Sequence, residues 1–295
     1  MKILANVSIA NVSIAIVTLV ILGGCNENKL PKYVELRELR VLGLIAEPPE
    51  VDAGGVSTIT PVLSDITEST ALTYEAVGCL DPGVSVGADA TCAGAPSAVS
   101  LSSGSLTTGD MTKARGFTGL ATPFSVTAPA SSLIFLQRRE QDQFNGISYL
   151  VTYTVTNSTG VTVKSFKRLI ISTRPLSQKN KNPILSDILG DGLVFSTSLS
   201  LAAAISVAPS FGAVGAETYL VQQADGSQST RNEEILTTWF ITDGELKSYR
   251  TTGADSNTWT TPGALVSGRD TFLLALIRDG RGGLSAVKKC FGTCP

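Results

Sequence analysis

The chain has no histidine, two tryptophans and two methionines, and only 16% of its 295 residues are charged. Without histidine neither a Ser-His-Asp nor a Cys-His nucleophile can be assembled, and the commonest general base and metal ligand is missing. Phosphate loops are lacking as well. Gly190-Asp191-Gly192 and Gly280-Arg281-Gly282-Gly283 do not open a helix, the setting in which backbone N–H groups cradle phosphate. Lys and Arg number 23 against 25 Asp and Glu, a formal net charge of −2, so there is no basic footprint for nucleic acid. Beyond the N-terminus no apolar run reaches the roughly 20 residues that a membrane span needs. Two placed carboxylates would suffice for glycoside hydrolysis, yet the acids do not gather. Glu47 and Glu50 flank a Pro-Pro kink, and Glu233-Glu234 begin a predicted strand whose successive side chains point to opposite faces. All four are expected to be solvated. Neither an enzyme nor a cofactor is expected.

What is present begins at the N-terminus. Lys2 precedes an apolar run from Ile14 to Leu22 that ends in Leu22-Gly23-Gly24-Cys25, and Asn6, Ser8, Asn11, Ser13 and Thr18 dilute the region. A short positive start, an apolar stretch of signal length and small residues before the cut describe a secretory signal, against the alternative of an uncleaved anchor helix. This segment resembles a bacterial lipoprotein signal with its lipobox. The resemblance implies a diacylglyceryl thioether on Cys25, cleavage before it and acylation of the new amino group, leaving a signal peptide of residues 1–24 and a tether of residues 25–32. Each buried methylene contributes about 0.8 kcal/mol, so two or three acyl chains make a lasting anchor. Asn26, in place of Asp, stands second in the mature chain, which under the sorting rule of Gram-negative lipoproteins implies the outer membrane. The membrane, reached through this lipid, is the expected partner. A protein or glycan partner is left unnamed.

With Cys25 committed to lipid, Cys79, Cys92, Cys290 and Cys294 remain. An even number in an exported chain reads as disulfides. Three pairings are possible; the short separations favour Cys79 with Cys92 and Cys290 with Cys294. A four-cysteine zinc site is the competing reading, weakened by its spacings and by export.

From residue 33 the pattern turns to strands. Leu39–Ala46 suits an edge strand broken by Pro48 and Pro49 and ended by the turn Asp52-Ala53-Gly54-Gly55. Val56–Leu63 alternates, with Val56, Thr58, Thr60 and Val62 on one side and Ile59 and Leu63 on the other. Leu72–Cys79 is a third strand. Residues 83–129 are rich in Ser, Gly, Thr and Ala and read as a long loop or partly ordered insertion carrying the Cys92 staple. Ile147–Thr156, the turn Asn157-Ser158-Thr159-Gly160 and Val161–Ser172 make the clearest hairpin. Arg174–Pro183 is polar, basic and bracketed by prolines, as an interdomain linker would be. Beyond it, Leu199–Val207, Glu217–Gln222 and Ile235–Thr242 supply strands, and Asp243-Gly244 is a turn.

The Glu47–Glu50 and Cys79-Leu80-Asp81-Pro82-Gly83 segments, Trp239 within Ile235–Thr242, Trp259-Thr260-Thr261-Pro262 and the terminal Asp279-Gly280-Arg281-Gly282-Gly283 resemble segments of bacterial immunoglobulin-like, PKD-like and cadherin-like domains. The resemblance implies an all-β chain of two tandem antiparallel immunoglobulin-like sandwiches, residues 33–173 and 184–289, joined by a linker at 174–183 and followed by a Cys-x3-Cys tail at 290–295. In that family calcium is often held by Asp side chains and loop carbonyls, which makes Asp243, Asp255, Asp270 and Asp279 candidates. Asp before Gly is also what a turn requires, so Asp243 and Asp279 read first as turn residues. Trp239 and Trp259 could stack on a sugar but are expected in the core. The function expected is a lipid-anchored, non-catalytic binding, adhesion or scaffold module of the cell envelope. The alternative is an accessory subunit of an envelope secretion or export complex.

Overall fold

Strand pairing, with little helix, organises the chain. The computed structural model describes residues 33–65, 71–83, 89–107, 117–195, 199–212, 215–266 and 270–291. The chain divides into Met1–Tyr33 and Val34–Pro295; the expected signal peptide, Cys25 and the tether lie outside the described residues, and the architecture below belongs to the second unit.

Two largely antiparallel sheets make the first sandwich. One contains β1 (Arg40–Glu47), β3 (Val56–Asp65), β6 (Phe117–Leu120) and β7 (Phe124–Thr127), with β3 pairing all three others. The second runs β2 (Glu50–Val51), β9 (Thr162–Ile171), β8 (Ile147–Asn157), β4 (Ala71–Leu80), β5 (Val99–Thr107). As expected, β1 is an edge strand interrupted by prolines. After Pro48 and Pro49 the chain changes sheet, and β2 pairs in parallel with the end of β9, an arrangement open to it because proline cannot donate to the ladder it leaves. The β8–β9 hairpin forms where expected, with Thr156 opposite Thr162. Asn157 builds its turn, its Oδ1 accepting from the backbone N–H groups of Thr159 and Val161 at 3.1 and 2.9 Å.

The Ser- and Gly-rich region expected as a loop contains β5, β6 and β7. A strand takes its backbone bonds from its neighbour, here β4 along the whole of β5, so a few apolar anchors are enough. Leu106, Phe124 and Val126 are those anchors, buried between the sheets with Ile59, Leu63, Leu72, Tyr153 and Leu169. Short helices α1 (Ser131–Ile134) and α2 (Glu140–Asn145) connect β7 to β8.

The second sandwich pairs β11 (Leu193–Val194), β10 (Leu185–Gly190), β12 (Ala204–Phe211), β18 (Asn257–Thr260) and β16 (Glu245–Leu246) in that order, against β17 (Arg250–Thr252), β15 (Leu236–Ile241), β19 (Thr271–Arg278) and β20 (Leu284–Phe291). Its core holds Trp239, Trp259, Ile241, Leu273 and Phe291. Both tryptophans are fully buried, with Trp239 Nε1 donating to Thr251 Oγ1 and Trp259 Nε1 to the Asp243 carbonyl. That settles them as core residues with satisfied polar ends, as expected. A separate hairpin, β13 (Thr218–Gln222) with β14 (Gln228–Asn232), stands between β12 and β15.

The two sandwiches interlock. Before β1 begins, Leu36 N–H donates to the Ile241 carbonyl and Ile241 N–H to that of Val34, so the N-terminal segment extends the β15 edge. The outer face of β1 and β3, through Leu42 and Val62, packs on Phe240, Leu274, Leu276 and Leu284. Gly43 permits this approach, since a Cβ there would lie 2.6 Å from the Leu284 side chain. Val62, read from the sequence as lying on the face opposite Ile59 and Leu63, is therefore buried too.

Candidate functional site

Two clusters of polar side chains stand out. The first lies between the sandwiches and centres on Glu50, which is 2% exposed. Its Oε1 accepts from Arg174 Nη1 at 3.2 Å and from the Ser172 hydroxyl, and its Oε2 accepts from Arg281 Nη2 at 3.2 Å and the Asn180 N–H at 2.8 Å. Arg281 Nη1 also pairs with Glu233 Oε1 at 3.0 Å, and its guanidinium lies 4.3 Å from the Tyr219 ring centroid. Lys179, buried, donates to the Ser172 carbonyl and pairs with Asp52 at 3.2 Å. Asp279 Oδ1 accepts from the N–H groups of Arg281, Gly282 and Gly283, while its Oδ2 receives Asn180 Nδ2 at 2.9 Å.

This cluster corrects two expectations. Glu50 and Glu233 are not solvated; β2 and the chain before β15 carry them into the junction, where guanidinium groups replace water. Glu47, by contrast, is exposed and accepts from Asn182, and Glu234 is exposed, on the side opposite Glu233. Nor is Arg174–Pro183 simply a solvated connection, because Arg174, Lys179 and Asn180 are buried as the contacts that tie both sandwiches together. Burial sets the electrostatics. It raises the Glu233 carboxyl above its ordinary range despite the Arg281 contact and lowers the Arg174 guanidinium against the pull of Glu50. Lys167, also buried, donates to the Gly282 carbonyl and is pushed down to about 8 by desolvation. With every charge engaged by protein, this cluster is a clasp between sandwiches.

The second cluster lines a groove of about 860 Å³ on the outer face of the first sandwich. Its floor is two cross-strand rows set by the ladder register: Glu75, Thr154 and Lys164 in one, Val77, Thr152 and Phe166 in the other. Residues in register point to the same face. The wall is the segment 89–98, stapled by the Cys79–Cys92 disulfide, whose Cα atoms are 5.6 Å apart. Cys79 and Cys92 pack with Leu150 under Val77, Ala90 and Ala95, and the Ser97 hydroxyl accepts from the Leu80 N–H at 3.0 Å. The bridge thus fastens an insertion over the sheet, as its sequence position suggests. Phe166 is 47% exposed, and Arg168, held by Asp81 at 2.6 Å, lies 5.1 Å from its ring centroid. Among the described residues no hydrogen bond or ion pair engages the side chains of Glu75, Asp89 or Lys164.

The remaining candidates separate. Asp243 receives the Thr271 hydroxyl at 3.2 Å beside the turn Gly244, whose φ is +90°. Asp255 is exposed, Asp270 is buried and Asp279 closes the β19–β20 turn. Among the described residues no three His, Cys, Asp or Glu side chains gather as metal ligands. Cys290 lies on β20, and Cys294, its expected partner, is outside the described residues. Sequence reasoning missed the groove because Phe166 and Lys164 lie in an ordinary hairpin. It missed the clasp because its partners are up to 231 positions apart.

The chain is an all-β double sandwich. Its strand pairing carries that assignment by itself. No family model matches the chain, and no curated protein matches it. Among solved structures, the periplasmic chaperone SfaE aligns over 84% of this chain and 97% of its own at 8% identity, with a TM-score of 0.27. Spo0M, a sporulation control protein from Bacillus subtilis, aligns over 87% and 91% at 10% identity, also with a TM-score of 0.27. Likeness at that level carries no functional argument.

Proposed function

We propose that the chain is a lipid-anchored cell-envelope protein, held through Cys25 on the outer membrane, that acts as a non-catalytic binding, adhesion or scaffold module. The observation that supports a binding role is the groove above β4, β8 and β9, with a half-exposed aromatic ring and three charged side chains that no described residue engages. Export is supported by the Leu22–Cys25 lipobox and by the Cys79–Cys92 disulfide, a bond that persists in oxidising compartments. The test is the intact mass of the membrane-extracted protein from its native host beside a Cys25→Ser variant. Cleavage before Cys25 with added acyl mass, lost in the variant, is the expected result; an uncleaved, unacylated chain overturns the reading. The accessory-subunit alternative draws on β5, the outer strand of its sheet among the described residues, as an edge that a partner strand could extend. Co-purification of a partner at fixed stoichiometry would favour that alternative.

A further inference from the structure

We propose that the groove over β4, β8 and β9 binds a neutral hexopyranose glycan, with the Phe166 ring taking the C–H face of one sugar and Glu75, Asp89 and Lys164 its hydroxyls. The proposal deepens the binding-module reading and rests on it. Its first support is the chemistry of the lining. A pyranose offers an apolar face and a rim of hydroxyls that both donate and accept. The groove matches this with one aromatic platform, two carboxylates that only accept, one ammonium that only donates, and the hydroxyl of Thr154, which can do both. The platform is set in advance, because the Asp81 carboxylate fixes Arg168 and Arg168 backs the ring, leaving little to be ordered on binding.

The same features disfavour other occupants. Two carboxylates against one ammonium, in a chain of net charge −2, repel a polyanion such as nucleic acid. An extended peptide draws its affinity from ladder hydrogen bonds at a free strand edge; over most of the floor no such edge exists, because β4 and β8 are paired on both sides, and the one nearby edge is that of β9, which β2 covers only at Ile170 and Ile171. Above β4 and β8 recognition comes from side chains, which suits a carbohydrate, and a peptide at the β9 edge would need no contact with Glu75 across the sheet. Glu75 and Lys164 lie two strands apart, about 10 Å by the spacing of paired strands, too far to neutralise each other directly and close enough to bracket a single sugar ring.

The experiment is calorimetric titration of the detergent-solubilised full chain with cellohexaose, maltohexaose, mannohexaose and chitohexaose. Saturable binding of at least one, with a Kd of about 1 mM or tighter, is expected. Phe166→Ala should weaken it at least tenfold and Glu75→Gln severalfold. Both side chains are exposed, so the thermal midpoint should not move, and the loss would then report the site itself. No binding to any of the four up to about 10 mM, or binding unchanged in both variants, overturns the proposal, as does tighter binding of dextran sulfate at the same residues. A chain that carries acyl mass at Cys25 yet binds no glycan refutes this inference and leaves the anchor standing.

Discussion

Removing Glu50 should loosen the junction, and the size of the effect follows from its surroundings. The carboxylate accepts from Arg174, Arg281, Ser172 and the Asn180 N–H, and the two guanidinium side chains are only 4% and 9% exposed. Glu50→Ala leaves both cations buried without this partner, a change that costs about 3–5 kcal/mol, and orphans the Asn180 N–H for roughly 1 kcal/mol more. Against a total stability of about 5–15 kcal/mol, this is a large share. At about 2–4 °C per kcal/mol for a unit of this size, the melting midpoint should fall by about 10 °C or more. Urea denaturation followed by circular dichroism gives the free energy directly from the midpoint and slope. Glu50→Gln keeps the volume and one acceptor, so its cost should be intermediate. Because Glu50 and Arg174 share the penalty, the double variant Glu50→Ala/Arg174→Met should cost less than the sum of the singles, by about 0.5–3 kcal/mol. A loss below about 1 kcal/mol for Glu50→Ala, with additive doubles, would place these pairs in the energetic class of surface ion pairs and refute the clasp.

Lys167 gives a pH signature. Its pKa is pushed down to about 8 in the folded chain by desolvation, so between about pH 8 and the ordinary lysine range the unfolded state holds more protons and stability rises with pH. Lys167→Met should remove that rise and gain up to about 3 kcal/mol at pH 7, read from urea midpoints at pH 7 and 9.5; an unchanged pH dependence would contradict the assignment. The double variant Cys79→Ser/Cys92→Ser opens a loop of 13 residues and should lose about 3 kcal/mol. Limited proteolysis should then cut within 89–98 first, and protection equal to the unsubstituted chain would show that the staple does not hold the wall.

Much of the local structure was legible in the sequence because it depends on local chemistry. The β8–β9 hairpin follows from alternation and from an Asn side chain that closes its own turn. The β19–β20 turn follows from Asp279 ahead of Gly280, Gly282 and Gly283, and the burial of Trp239 from its place in an apolar strand. The Ser-rich β5 was not legible, since its strand state is imposed by pairing with β4. The long apolar run Phe272–Ile277 did hold a signal for the packed sandwiches, because a strand buried on both faces loses its alternation, as Leu273 and Ala275 face one core and Leu274 and Leu276 another.

By itself the sequence determined the all-β class, the Cys79–Cys92 staple and the exclusion of histidine chemistry, since each depends on residue type or on spacing within one or two elements. Only the tertiary structure decided that Glu50, Glu233 and Arg174 are buried and that Phe166 shares a face with Glu75. Charge burial depends on which distant groups replace water, and a shared face depends on strand register, and neither is encoded in a residue's near neighbours.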